Sequence, residues 1–193
     1  MQAAELGADA IGVVLYPKSP RAVSVDNLAD IVADLPNRIT VVALFVNPEP
    51  DLVRRALATG TVDLLQFHGD ETAEFCEQFG VPYMKAAAVK SGSDLKAALA
   101  AYEAAQYILL DSYDPIMPGG TGKTFDWDKV EELTSQQQSR LVLAGGLTPS
   151  NVREAVEIVH PFGVDVSSGV EASKGIKDSN KMKLFIEGVR ASG

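Results

Sequence analysis

Short runs of apolar and β-branched residues recur along the chain every ~20 to 30 residues, the spacing of strands that alternate with helices. They are Ala10 to Leu15, Thr40 to Phe45, Leu64 to His68, Tyr83 to Ala87, Tyr107 to Asp111, Arg140 to Ala144 and Gly163 to Val166. Each run is continuously apolar rather than alternating, which is what a parallel sheet covered on its outer face requires. Between the runs lie amphipathic stretches of helical length: Val25 to Leu35, Pro50 to Thr59, Glu71 to Gln78, Asp94 to Ala104, Trp127 to Ser135, Pro149 to Val159 and Asn180 to Arg190. Ser24, Ser93 and Thr148 stand where a side-chain oxygen can accept from orphan backbone N–H groups, and Pro149 suits a first helical turn.

Strict alternation of strand and helix leaves two α/β architectures, an open doubly wound sheet or a closed barrel. Polar and glycine residues cluster after each strand's C-terminal end: Tyr16-Pro17-Lys18-Ser19, Asn47-Pro48, His68-Gly69-Asp70, Asp111, Gly145-Gly146 and Ser167-Ser168-Gly169. A barrel brings all such ends to one face, whereas a doubly wound sheet concentrates its ligand loops at one switch point. The pattern therefore predicts a (β/α)8 barrel, one domain over residues 1–193. Its count falls short, because a closed barrel needs eight strands and seven runs are present. The segment Met1 to Leu6 reads as the tail of a helix stopped by Gly7, so the expectation is that the first strand is missing from this chain. Ala10 to Leu15 and Gly163 to Val166 would then have exposed edges open to self-association. A natural seven-stranded open barrel is the alternative.

Composition narrows the function classes. With 46% hydrophobic and 22% charged residues, 193 residues can bury a full core. A formal net charge of -9 argues against nucleic acid as a partner but allows a small anion held by local backbone groups. The apolar runs fall far short of the ~20 residues that span a bilayer, and no basic and apolar signal pattern follows Met1. A soluble cytoplasmic protein without a membrane partner is expected. Cys76 is the single cysteine and His68 and His160 the two histidines, so neither an internal disulfide nor a Cys- or His-rich metal centre is expected.

The most specific chemistry lies near the end of the chain. Leu143-Ala144-Gly145-Gly146-Leu147-Thr148 and, one strand later, Val164-Asp165-Val166-Ser167-Ser168-Gly169-Val170-Glu171 form two glycine-bearing loops after successive strands. Glycines let backbone amides approach an anion, and a short helix after the last strand would add a favourable dipole. Together they predict a phosphate grip through Gly145, Gly146, Ser167, Ser168 and Gly169, the mark of a phosphate-binding TIM barrel; two tight turns would use glycine as well. Asp111 delivers a carboxyl to a strand terminus, either as a proton donor or as an ordinary loop cap. The loop Asp114 to Thr124, with Gly119-Gly120-Thr121-Gly122-Lys123-Thr124, lacks a nucleotide-loop's leading glycine and reads as a mobile lid. Arg21 is placed to meet an anionic or aromatic substrate group. His68 reads as a substrate contact or a hydrogen-bonded strand-end histidine, and Cys76, between Phe75 and Phe79, as a buried apolar residue.

Taken together, Gly7-Ala8-Asp9-Ala10-Ile11-Gly12, Tyr16-Pro17-Lys18-Ser19-Pro20-Arg21, Phe45-Val46-Asn47, Leu65-Gln66-Phe67-His68-Gly69, Leu110-Asp111, Gly119 to Trp127, Ala144-Gly145-Gly146-Leu147 and Val164 to Glu171 resemble the phosphoribosylanthranilate isomerases of tryptophan biosynthesis. The resemblance implies an Amadori rearrangement of N-(5-phosphoribosyl)anthranilate, without cofactor or metal. It also implies an acid at Asp111, an anthranilate contact at Arg21, a phosphate held by the glycine and serine loops, and a ribose or loop-ordering contact at Asp165. The family's general base is a cysteine in a Lys-Ile-Cys-Gly-like segment on the first strand, and residues 1–193 contain no such segment. Impaired catalysis by this chain is the expectation. The other readings are a non-catalytic phosphate-binding barrel and a related histidine-pathway or bifunctional sugar-phosphate isomerase; Arg21 and Thr121 to Trp127 favour the tryptophan enzyme over the latter.

Overall fold

Seven strands form where the apolar runs stand: β1 (Ala10–Val14), β2 (Thr40–Phe45), β3 (Leu64–Phe67), β4 (Tyr83–Ala88), β5 (Tyr107–Asp111), β6 (Leu141–Ala144) and β7 (Gly163–Val164). The computed structural model describes residues 1–88, 92–111 and 134–192. The expected lid at Asp114 to Thr124 and the helix start at Trp127 lie outside the described residues, as does the Ser93 side chain. The fold is α/β, and every described pairing among these seven strands is parallel.

The chain divides into two compact units, one of residues 1–85 and 104–106, the other of residues 86–103 and 107–193. In the first, β1 pairs with β2, β2 with β3 and β3 with β4. The helix α1 (Gln2–Leu6) stops at Gly7, whose left-handed φ of 105° lets its N–H return to the carbonyls of Ala3 and Ala4. A single 3-10 turn (Val25–Asn27) and α2 (Leu28–Val32) replace the one helix predicted from Val25 to Leu35, and the Ser24 hydroxyl accepts from Asp26 N–H as a cap. Helix α3 (Pro50–Ala58) begins with proline in its first turn and buries Val53 and Ala56, three residues apart on one face. Helix α4 (Ala73–Glu77) is capped by Thr72, which accepts from Phe75 N–H. Ala10 and Gly12 of β1 are exposed, while Ala22 bridges Val14 in parallel and Val23 N–H donates to the Val14 carbonyl. The far end of the expected open edge is thus partly closed by the chain itself.

In the second unit β5 pairs with β6 and β6 with β7, and α5 (Gly92–Ala101), α6 (Ser135–Gln138), α7 (Val152–Val159) and α8 (Ser179–Arg190) complete it. The predicted start of α7 at Thr148-Pro149 is corrected. The Thr148 hydroxyl engages that of Ser150, Asn151 Oδ1 accepts from Thr148 N–H, and the chain turns through Pro149 to Asn151 before the helix begins. Helix α8 is capped by Asp178, which accepts from Lys181 N–H. It lies close on α7 because Gly188 has no side chain; a Cβ there would sit 2.9 Å from Val152 Cγ1. A small antiparallel hairpin, β8 (Glu171–Ser173) with β9 (Ile176–Lys177), follows β7 and was not foreseen, its strands being too short to leave a pattern.

The core of the first unit centres on Phe67. Its fully buried ring lies 5.9 to 6.2 Å, centroid to centroid, from those of Phe45, Phe75, Phe79 and Tyr83. Phe67→Ala should therefore cost about 3–5 kcal/mol, the usual range for a large aromatic replaced by a cavity. A chemical-denaturation midpoint that falls by less than about 1 kcal/mol equivalent would show that the aromatic cluster does not hold this unit.

Candidate active site

Parallel registry sets where the strand-end loops emerge. In the first unit Val14, Leu44, Gln66 and Met84 lie opposite one another in a row, so the segments after β1, β2 and β3 leave the sheet at one end. Arg21 is half-buried there, its N–H donating to Ser19 Oγ at 3.1 Å. A cleft of about 380 Å³ opens between Tyr16-Pro17-Lys18 and Asn47-Pro48-Glu49. His68 is half-buried, and its N–H donates to the Phe45 carbonyl at 2.9 Å. The amide nitrogen of buried Gln66 lies 3.3 Å from His68 Nδ1.

Two charged residues that sequence reading did not single out tie this end together. Glu71 Oε1 accepts from Asn47 N–H at 2.7 Å, and Oε2 accepts from Gly69 N–H at 2.9 Å. Lys85 Nζ lies 3.4 Å from Glu71 Oε2 and donates to the Gly69 carbonyl at 2.6 Å. The two side chains are 2% and 4% exposed. Their signal was present in the sequence: a lysine inside the apolar run Tyr83-Met84-Lys85-Ala86 must find a partner if the run is buried. The nearby Cys76 is fully buried, and its thiol is pushed up to about 12, first by that burial and then by the charge of Glu71.

In the second unit Asp111 ends β5 in register with Ala144 of β6, the residue before Gly145, so the carboxyl and the first glycine loop leave adjacent strands side by side. Gly145 and Gly146 have φ values of 78° and 63°, a tandem left-handed turn that side chains resist. Asn151 Nδ2 donates to the Gly146 carbonyl at 3.1 Å and holds the turn. Asp165 N–H donates to the Leu143 carbonyl at 2.8 Å, extending the β7 ladder by one residue, and the residue itself is exposed. Ser167 and Ser168 are exposed too, and the short helix expected after the last strand is a three-residue 3-10 turn, Ser168–Val170. Gly169 presses on the first loop, where a Cβ would collide with the Leu147 carbonyl oxygen. From behind, Lys177 Nζ donates to the Ser167 carbonyl at 2.8 Å and lies 3.6 Å from Glu171 Oε1.

Each unit thus gathers its own share of the predicted residues at strand C-termini: Arg21 and His68 in one, and Asp111, Gly145, Gly146, Asp165, Ser167, Ser168 and Gly169 in the other. The second group sets Asp111 at the end of the strand next to the first glycine-bearing loop, with the second loop one strand further on, an order suited to proton transfer near a bound anion. Among the described residues no group of three or more His, Cys, Asp or Glu side chains is placed to hold a metal ion. No helix among them is long and apolar enough to cross a membrane.

Comparison with known proteins adds to this geometry. Residues 1–188 match the family described as N-(5'phosphoribosyl)anthranilate (PRA) isomerase. A protein of Pseudomonas fluorescens (strain Pf0-1) named N-(5'-phosphoribosyl)anthranilate isomerase is 52% identical over 98% of this chain and 92% of its own length. One of the same name from Nitrosococcus oceani is 48% identical over 98% and 90%. Among solved structures, phosphoribosyl anthranilate isomerase from Thermotoga maritima superposes with a TM-score of 0.87 at 40% identity, covering 98% of this chain and 92% of that one. A second, solved in complex with reduced 1-(o-carboxyphenylamino)-1-deoxyribulose 5-phosphate, gives 0.83 at 37% identity, covering 98% and 91%.

Three measurements test the local geometry. Gly169→Ala must move backbone and should cost roughly 1–3 kcal/mol. Gly163→Ala, where a Cβ meets nothing within 4 Å, should stay within about 0.5 kcal/mol; equal denaturation midpoints for the two would refute the packing of the loops. Cys76 should resist a chromogenic disulfide reagent at neutral pH and react once the chain is unfolded in guanidinium. Because folding raises its thiol from 9.0 to about 12, stability from this group is complete below pH 9 and declines as pH climbs toward 12. Cys76→Ala should flatten that decline, as read by unfolding free energy against pH.

Proposed function

The chain belongs to the N-(5'-phosphoribosyl)anthranilate isomerase family, and from that premise we propose that it acts on N-(5'-phosphoribosyl)anthranilate in tryptophan biosynthesis, yielding 1-(2-carboxyphenylamino)-1-deoxyribulose 5-phosphate by acid–base Amadori rearrangement. The observation that carries the reading is the placement of Asp111 in register with the residue before the left-handed Gly145-Gly146 turn; on this reading the carboxyl is the proton donor and the turn part of the phosphate seat. The Asp111 carboxyl gives its proton to the ribose ring oxygen; the C1–O bond breaks and the nitrogen lone pair forms the Schiff base. A base then takes the C2 proton, the electron pair moves toward nitrogen, and the enolamine tautomerises to the ketone. Atoms and electrons balance without an external redox partner, because C1 is reduced as C2 is oxidised.

The remaining roles rest on position. Gly145, Gly146, Ser167, Ser168 and Gly169 hold the phosphate, brought to it by the left-handed turn and the close contact of the two loops. Arg21 meets the anthranilate, with a charge for its carboxylate and a plane for its ring. His68 offers a ring N–H to the substrate, and exposed Asp165 contacts the ribose or orders its loop. Residues 1–193 hold the acid but no Lys-Ile-Cys-Gly-like segment, so on this reading the base is not among them and catalysis by them alone is impaired.

Loss of anthranilate fluorescence measures the reaction. Residues 1–193 should turn over substrate poorly, and a version supplied with a cysteine-bearing strand ahead of residue 1 should turn it over well. In the active version Asp111→Asn should lower kcat by about 10²–10⁴, the range for a lost general acid, while leaving affinity for the reduced product analogue within a few fold. Equal, high activity with and without the added strand would sink the claim about the base. Unchanged kcat in Asp111→Asn would sink the claim about the acid.

A further inference from the structure

The buried pair Glu71–Lys85 sits in an unusual place for a stabilising interaction. Taking both charges out of water costs several kcal/mol per ion, and an apolar pair of similar volume commonly serves stability as well or better. Here the carboxylate directs its two oxygens at backbone N–H groups of two different strand-end loops, Asn47 after β2 and Gly69 after β3. Lys85, on β4, completes the clamp from below by donating to the Gly69 carbonyl, and to the Phe67 carbonyl at 3.4 Å.

The loops so gripped are held in a costly shape. Asn47 has a left-handed φ of 45°, and its side-chain oxygen accepts from Asp70 N–H at 2.7 Å. Gly69 lies so close beneath it that a Cβ would collide with Asn47 Oδ1. Backbone strain of this kind persists only where surrounding groups over-determine it, and it is characteristic of preorganised sites. His68 immediately precedes the clamped Gly69, and Gln66 Nε2 lies 3.3 Å from its ring nitrogen Nδ1.

We propose that Glu71, paired with Lys85, is a positioning residue: it fixes the loops of Asn47 and His68-Gly69 in the geometry that receives substrate, touching no substrate itself. The inference rests on the isomerase reading and adds to it a residue that acts through His68 and its loop. A merely structural pair and a positioning pair respond differently when both charges are removed together.

The test compares Glu71→Gln, Lys85→Met and the double variant in residues 1–193. Affinity is read by calorimetry with the reduced product analogue, 1-(o-carboxyphenylamino)-1-deoxyribulose 5-phosphate, stability by denaturation, and the clamp by the Asn47 and Gly69 amide resonances. Glu71→Gln should bind the analogue about tenfold or more weakly, since a small misplacement of positioning groups has effects of that order, and its two amides should shift upfield and exchange faster. The double variant should recover the unfolding midpoint toward wild type but not the affinity. Recovery of both together, or unchanged affinity in Glu71→Gln although its amides have moved, would overturn the proposal. Failure of the unsubstituted chain to bind the analogue would instead overturn the isomerase reading, which the amide shifts alone do not test.

Discussion

The parallel hydrogen-bond ladder is the constraint on which the site depends. Parallel strands cannot be joined by tight hairpins, so each crossover must carry the chain back along the sheet before the next strand starts. The price is a long connection, and its consequence is that the strands of the parallel sheet within a unit point the same way. Registry then does what no single residue could. Val14, Leu44, Gln66 and Met84 stand in a row, as do Asp111 and Ala144, so residues far apart in sequence emerge at one end of their unit. Where the strands stop, backbone groups no longer have a ladder partner, and it is there that carboxylates, amides and glycines take over.

The two units solve that problem by different chemistry. The first uses charge: one buried carboxylate accepts from two loops, and a buried lysine neutralises it and binds a carbonyl. The second uses the absence of side chains. Gly145 and Gly146 turn left-handed in succession, and Gly169 fits against the Leu147 carbonyl with no room for a methyl group. A charge clamp needs low dielectric and full burial to be strong. A glycine turn instead needs no charge and keeps side chains out of the way, as suits loops whose exposed residues include Gly146, Ser167 and Ser168.

How much of this could be read from sequence depends on what makes each feature. The strands were legible to within a residue or two, because β-branched runs such as Thr40 to Phe45 have no amphipathic helical alternative. The glycine loops and Asp111 were legible because they adjoin those runs. Helix starts were less so: Thr148 has the right chemistry for a cap, but its hydroxyl is engaged by that of Ser150, and the helix begins only after Asn151. The Glu71–Lys85 pair was missed because its meaning lies in contacts between β3 and β4 ends that spacing does not encode. Even there, a lysine at the centre of an apolar strand was a readable warning. The hairpin of β8 and β9 is two and three residues per strand, below the length at which any period is visible.

The contact of Gly169 with Leu147 has an evolutionary side. Because the obstacle is a main-chain carbonyl, trimming a neighbouring side chain cannot make room for a larger residue at position 169. Nor can a substitution at Leu147 relieve it, since every amino acid brings the same carbonyl. Drift at this site is therefore closed to the ordinary route of paired, compensating replacements. Change there requires an insertion or deletion that moves one loop bodily away from the other. Lineages that diverge widely around these loops should keep both their lengths and this glycine, and should vary instead in the residues that face outward beside them.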